Sequence, residues 1–154
     1  MMLKEVIEVE EDEEKLEMPS FNHSFICGEI AEQINKTEVF KAMPELTLKI
    51  NKGITPDVSV YLRKNIKPNF SHDYSKFPEM PILAIEVISA SQNIQHLLEK
   101  AKRLVKEGVK AVWTIEPFTN TIFVTTENSE KKFYNQEVES EGIKVDFRQI
   151  FNTN

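Results

Sequence analysis

The chain has 154 residues, 40% hydrophobic and 29% charged, enough for one domain with a single core. Cys27 is the only cysteine, which excludes an internal disulfide, and no apolar run approaches the roughly 20 residues that cross a bilayer. The net charge of −6 resides in residues 1–18, where eight acids face Lys4 and Lys15, so the remainder is neutral and any surface for a polyanion must be a local patch.

Residues 1–19 read as a flexible acidic arm and residues 20–154 as the folded domain. The arm is either a solvated tail or a phosphate mimic that shields a basic site. It carries acids where a secretory signal needs a basic start and an apolar core, so a reducing cytoplasm is the expected home.

From Phe21 to Ile34 the pattern is helical. Ile26, Ile30 and Ile34 recur every four residues, with His23 and Cys27 near the same face. ELTLKI alternates Leu46, Leu48 and Ile50 and reads as a strand, and Asn51, Lys52 and Gly53 form a turn signal. DVSVYL places Val58, Val60 and Leu62 on one face and Asp57, Ser59 and Tyr61 on the other, so the two strands are expected to pair as a hairpin.

RKNIKPNFSHDYSKFPEMP, 19 residues, is a long irregular connection. It interleaves Arg63, Lys64, Lys67 and Lys76 with Phe70, Tyr74 and Phe77, a mixture that holds nucleic-acid backbones and bases. The same residues also fit an ordinary loop whose aromatics pack on the body.

ILAIEVIS is a third strand, followed by a helix from Ser91 to Glu107. Ile94, Leu97, Leu98, Ala101, Leu104 and Val105 mark its apolar stripe, Gly108 suits the position after its end, and Ser89 and Ser91 suit its cap. VKAVWTI, the turn EPFTNT and IFVTT make a second hairpin, with Trp113 in the core, and VDFRQIF closes as a short strand or turn of helix. The order α-β-β-β-α-β-β predicts an α/β or α+β domain: a mixed β-sheet core flanked by helices, with a right-handed crossover from residues 82–88 to 109–115.

Glu86 poses a chemical problem, because an ionised carboxylate inside an apolar strand costs several kcal/mol without a partner. Asp57 opens the preceding strand after Pro56, and on neighbouring strands the two carboxylates would repel unless one kept its proton or a cation joined them. Hard oxygen ligands at a sheet end suit Mg²⁺ or Mn²⁺. Lys100 lies on the flank of the following helix, where its stem can run along the body and its head can reach a strand end; Arg103 points away. Two acids, a lysine and a divalent ion form a minimal kit for phosphodiester hydrolysis. Taken singly, Asp57 could end a turn, Glu86 could pair with a lysine for structural reasons, and Lys100 could be a surface residue.

Pro56-Asp57, the strand carrying Glu86 and a downstream lysine resemble the PD-(D/E)xK nuclease superfamily. More closely, TPDVSVYL, AIEVISASQ with Lys100, and KEGVKAVWTIEP over residues 21–154 resemble the Uma2 (DUF820) family of restriction-endonuclease-like proteins. The resemblance implies a restriction-endonuclease-like fold, Asp57 and Glu86 as metal ligands for Mg²⁺ or Mn²⁺, and Lys100, rather than Lys102 or Lys106, as the catalytic lysine. It further implies that the carbonyl of Val87 or Ile88 adds an oxygen and that an acid of the first helix, Glu29 or Glu32, can join. Ile88 stands where the superfamily usually has its lysine.

The function expected is a metal-dependent endonuclease hydrolysing DNA. The alternatives are a nuclease-fold binding or regulatory module without turnover, or an RNA-directed nuclease. A homodimer is expected from the family and from TIFVTT as an edge strand. His23, His72 and His96 have no metal-ligand spacing, His96 being a neighbour of the site, and Cys27 reads as helix-face packing.

Overall fold

The computed structural model describes residues 20–152; the acidic arm lies outside them. Helix α1 spans Phe21–Asn35, with β1 at Phe40–Pro44, β2 at Val58–Leu62, a 3₁₀ turn at Arg63–Asn65 and β3 at Leu83–Val87. Helix α2 is Ile94–Lys106, β4 Ala111–Glu116, β5 Thr121–Thr125, β6 Glu130–Tyr134, β7 Glu137–Ser140, β8 Ile143–Asp146, and α3 Arg148–Phe151. Strands β1 to β6 form one sheet in sequence order, and β7 and β8 pair separately. Only β3 and β4 run parallel, joined by α2, so the sheet is mixed.

The sheet buries both faces. Val58 and Val60 of β2, Leu83, Ile85 and Val87 of β3, and Trp113 and Ile115 of β4 pack on one side with Ile26, Ile30 and Ile34 of α1 and with the β7–β8 hairpin. Trp113 is fully buried as expected, edge-on to Phe147 at 5.9 Å, and its Nε1 donates to Ser140 Oγ at 2.8 Å. On the other side Ala84 and Val112 pack with Ala101 and Leu104 of α2 and with Leu48, Ile50 and Ile54. Continuous apolar runs in β3 and β4 follow from this double coverage.

Helix α1 starts where the Ser20 hydroxyl accepts from His23 N at 3.2 Å. At its end Asn35 Oδ1 accepts from Ala42 N at 2.9 Å, and Arg63 Nη2 donates to the carbonyl oxygens of Asn35, Thr37 and Phe40, tying the helix to β1.

Two expectations for this half are corrected. The partner of β2 is residues 40–44, not ELTLKI: Phe40↔Leu62 through Pro44↔Val58. β1 ends at Pro44, and Glu45 turns the chain at φ 47. Leu48 and Ile50 alternate because an irregular excursion lays them under α2, where Leu48 makes only single bridges to Ile54 and Phe77.

The cap of α2 is Asn93, whose Oδ1 accepts from Gln95 N at 2.9 Å, rather than Ser89 or Ser91; Ser89 N instead donates to Gln92 Oε1. At the other end Gly108 N reaches Val105 O at 3.0 Å and Val109 N reaches Leu104 O at 3.1 Å. That is a Schellman closure, and it needs the positive φ of 116° that Gly108 supplies. A further correction concerns β5, which is paired on both sides and is no edge; the described edges are β1 and β6, the latter reading EKKFY. Among the described residues no helix is long and apolar enough to cross a membrane.

Candidate metal centre

Asp57 and Glu86 meet at the end of the sheet where parallel β3 and β4 finish, the end at which open α/β sheets bind ligands. The β2–β3 register pairs Val58 with Ile85, so the next step sets Asp57 opposite Glu86. Ladder pairing stops there, and Val87 N–H on that edge takes a side chain instead, donating to Asp57 Oδ2 at 2.8 Å. Asp57 is held further by its own carbonyl, which accepts from Glu45 N at 3.0 Å where β1 ends.

Glu86 points to the α2 side, the face it shares with Ala84. Its carboxylate is buried at 4% exposure, and Oε1 lies 2.9 Å from Lys100 Nζ. Beyond that ion pair Oε1 has no hydrogen-bond donor. Burial pushes the Glu86 carboxyl up to about 7, against the Lys100 ammonium and with the help of the neighbouring Asp57 carboxylate, which is close enough to share a hydrogen bond with it. The three side chains singled out in the sequence thus converge.

The first helix also reaches this point, through a residue read in the sequence only as part of the helix face. His23 Nε2 lies 3.0 Å from Asp57 Oδ2, and its Nδ1 is 3.9 Å from Cys27 Sγ. The hydrogen bond to Asp57 raises the His23 pKa above its ordinary value against the opposing effect of burial, with the charges of Asp57, Glu86 and Glu45 adding to the rise. His23 sits three residues before Ile26 on the buried stripe, and that was the available signal: an imidazole on an apolar face requires a polar partner. Glu29 and Glu32 do not arrive; Glu29 interacts with Glu32 and Lys36 on the outer side. Burial, with the same carboxylates, holds the Cys27 thiol above the usual range and therefore protonated, consistent with packing rather than nucleophilic chemistry.

The donor set fits one divalent cation. The carboxylates of Asp57 and Glu86 are neighbours served by one ammonium, Lys100 Nζ at 2.9 Å from Glu86 Oε1, and a divalent cation would offset the negative charge that remains. His23, Cys27 and Asp57 offer donor atoms within 4.8 Å of one another, a set that does not include Glu86. His72 and His96 are exposed and belong to no such group among the described residues.

The long connection is anchored elsewhere. It leaves the end of β2 and enters the start of β3, the sheet end opposite Asp57 and Glu86. Tyr74 and Phe77 meet edge-on at 5.3 Å, Phe77 meets Tyr61 at 5.5 Å, and Tyr61 Oη donates to Glu79 O at 2.8 Å, so Phe77 packs on the body while Tyr74 stays 58% exposed. Phe70 is 98% exposed.

A mixed sheet flanked by helices, with two acids and a lysine at the carboxyl end of its central strands, is a restriction-endonuclease-like architecture. The chain belongs to the Uma2 family, described as "Putative restriction endonuclease", whose profile matches residues 5–152. That match begins inside the acidic stretch. Among solved structures the chain is similar to a "putative nuclease belonging to DUF820" from Anabaena variabilis, with TM-score 0.77 and 22% identity over 88% of this chain and 83% of the other. A DrdV–DNA complex gives TM-score 0.44 and 8% identity over 68% of this chain and 9% of that one, too distant to carry an argument. No curated protein matches.

Proposed function

We propose that the protein is a divalent-metal-dependent endonuclease that hydrolyses DNA phosphodiester bonds in the cytoplasm. The observation that carries this reading is the convergence of Asp57, Glu86 and Lys100 at one end of the sheet, with Glu86 buried. Membership of a restriction-endonuclease family supports the reaction class.

In this reading Asp57 and Glu86 hold Mg²⁺ or Mn²⁺. The ion supplies Lewis-acid polarisation of a phosphoryl oxygen and a bound water of lowered pKa. Val87 N–H anchors Asp57 Oδ2, which fixes the carboxylate before any ligand arrives. Lys100 leaves its contact with Glu86 to face the phosphate, where its ammonium offsets the developing negative charge. Burial of Glu86 keeps bulk water from screening these charges.

The test is incubation of the full chain with plasmid, linear DNA and RNA in Mg²⁺ or Mn²⁺. Cleavage is expected to vanish in the Asp57→Ala/Glu86→Ala double variant; equal cleavage by that variant would mark a contaminant and sink the reading. A second reading, a binding or regulatory module without turnover, draws on the direct Glu86–Lys100 pair, which already neutralises one acid. Tight DNA binding without divalent ion, and no hydrolysis at any metal concentration, would favour it. A homodimer would need a surface other than β5.

A further inference from the structure

We infer that His23 is a third protein ligand of the same ion and biases the site toward Mn²⁺ over Mg²⁺; this rests on the reading that Asp57 and Glu86 hold a divalent cation. The ring is placed by the fold. The Ser20 cap fixes the first turn of α1, and the buried Ile26 and Ile30 set the rotation of the helix, which turns His23 toward the sheet. The ring is only 12% exposed and brings Nε2 to 3.0 Å from Asp57 Oδ2. Two adjacent donors that each stand about 2.1 Å from one ion are separated by a comparable distance.

The other ring nitrogen faces Cys27 Sγ at 3.9 Å. Without the ion Nε2–H donates to Asp57 Oδ2, and a ligating Nε2 gives up that proton. A proton on Nδ1 directed at the Cys27 sulfur then holds the ring in the tautomer whose Nε2 lone pair faces the ion, as an outer partner does for a ligating histidine. The independent sign that a cation belongs here is the donor set: one atom each of His23, Cys27 and Asp57 lies within 4.8 Å of the others, next to the buried Glu86. Mg²⁺ favours oxygen ligands and retains its waters, whereas imidazole suits transition ions. One nitrogen among oxygens therefore shifts preference toward Mn²⁺ without excluding Mg²⁺.

The decisive measurement is pulsed electron paramagnetic resonance of Mn²⁺ bound to the full chain. Nitrogen coupling from a directly bound imidazole is expected in the wild type and is expected to be lost in His23→Gln. In calorimetry the same substitution should weaken Mn²⁺ binding by about tenfold and Mg²⁺ binding much less. Bound Mn²⁺ without nitrogen coupling in the wild type would overturn the inference while leaving the carboxylate site intact, and that spectrum does not depend on any variant folding. No Mn²⁺ binding at all by the wild type would instead remove the metal reading and this inference with it.

Discussion

Glu86 and Lys100 are a buried pair, yet the pair is not a simple stabiliser. Burial raises the Glu86 carboxyl from its ordinary 4.5 to about 7, so the folded state holds this proton more tightly than the unfolded chain. The resulting stability is complete below pH 4.5 and is lost as pH rises through about 7. His23 acts in the same direction, because its raised pKa favours the folded state at low pH and that benefit fades as the ring loses its proton. In chelator, melting temperature is therefore expected to fall between pH 5 and 8, with Glu86 contributing about 3 kcal/mol at most. Glu86→Gln should flatten that profile, and Mn²⁺ should restore the wild type at pH 8; thermal melts across pH with and without Mn²⁺ check both. A profile unchanged in Glu86→Gln would show that the carboxyl does not titrate in this window.

Lys100 can be separated from the proposed ligands, Asp57 and Glu86, by a different measurement. Its flank position on α2 brings Nζ to Glu86, but it donates no electron pair to a cation. Lys100→Met is expected to cut DNA cleavage by about 10²-fold or more while leaving Mn²⁺ affinity equal to or better than wild type. Loss of metal binding in that variant would mean that the lysine organises the site rather than acting on the phosphate.

At the scale of elements, α2 is the support on which the lysine depends. Its register is set by Leu97, Ala101 and Leu104 against the sheet and by the closure at Gly108. A Cβ at residue 108 would meet only Met80 Cγ at 3.7 Å, so the cost of Gly108→Ala comes from the backbone at φ 116°. That cost is about 1–2 kcal/mol, or a few degrees in melting temperature, with Mn²⁺ affinity unchanged in calorimetry. A larger loss, or a weakened metal site, would indicate that the turn does more than end the helix.

Which elements were legible depends on how their burial is made. Strands β2, β3 and β4 and helix α2 each carry a full apolar period, and their sequence alone marks them. β1 reads FKAMP, with only Ala42 buried, and β6 and β7 are mostly exposed, so pairing rather than pattern makes them strands. ELTLKI misled for the converse reason: its alternation reflects packing under α2, not a ladder. At the site, Asp57, Glu86 and Lys100 stood out because each breaks an apolar context or flanks one. His23 did not, because the carboxylate that accounts for it lies on another element, 34 residues further along the chain.

For the whole molecule the governing quantity is charge. Outside residues 1–18 acids and bases balance, and the long loop that concentrates lysines with aromatics is attached at the far end of the sheet from Glu86. A nuclease of this kind can neutralise few phosphates at once. Each phosphate contact on duplex DNA adds about −0.9 to the slope of log affinity against log salt, so three contacts or fewer predict a slope of about −3 or shallower. Filter binding or fluorescence anisotropy with catalytically dead Asp57→Ala, from low to moderate salt, measures it directly. Phe70→Ala should leave both the slope and the cleavage rate within about twofold, since a single exposed side chain away from the site contributes little to either. A slope near −8, or a collapse of binding in Phe70→Ala, would mean that DNA lies along the loop and wraps well beyond the carboxylate end of the sheet.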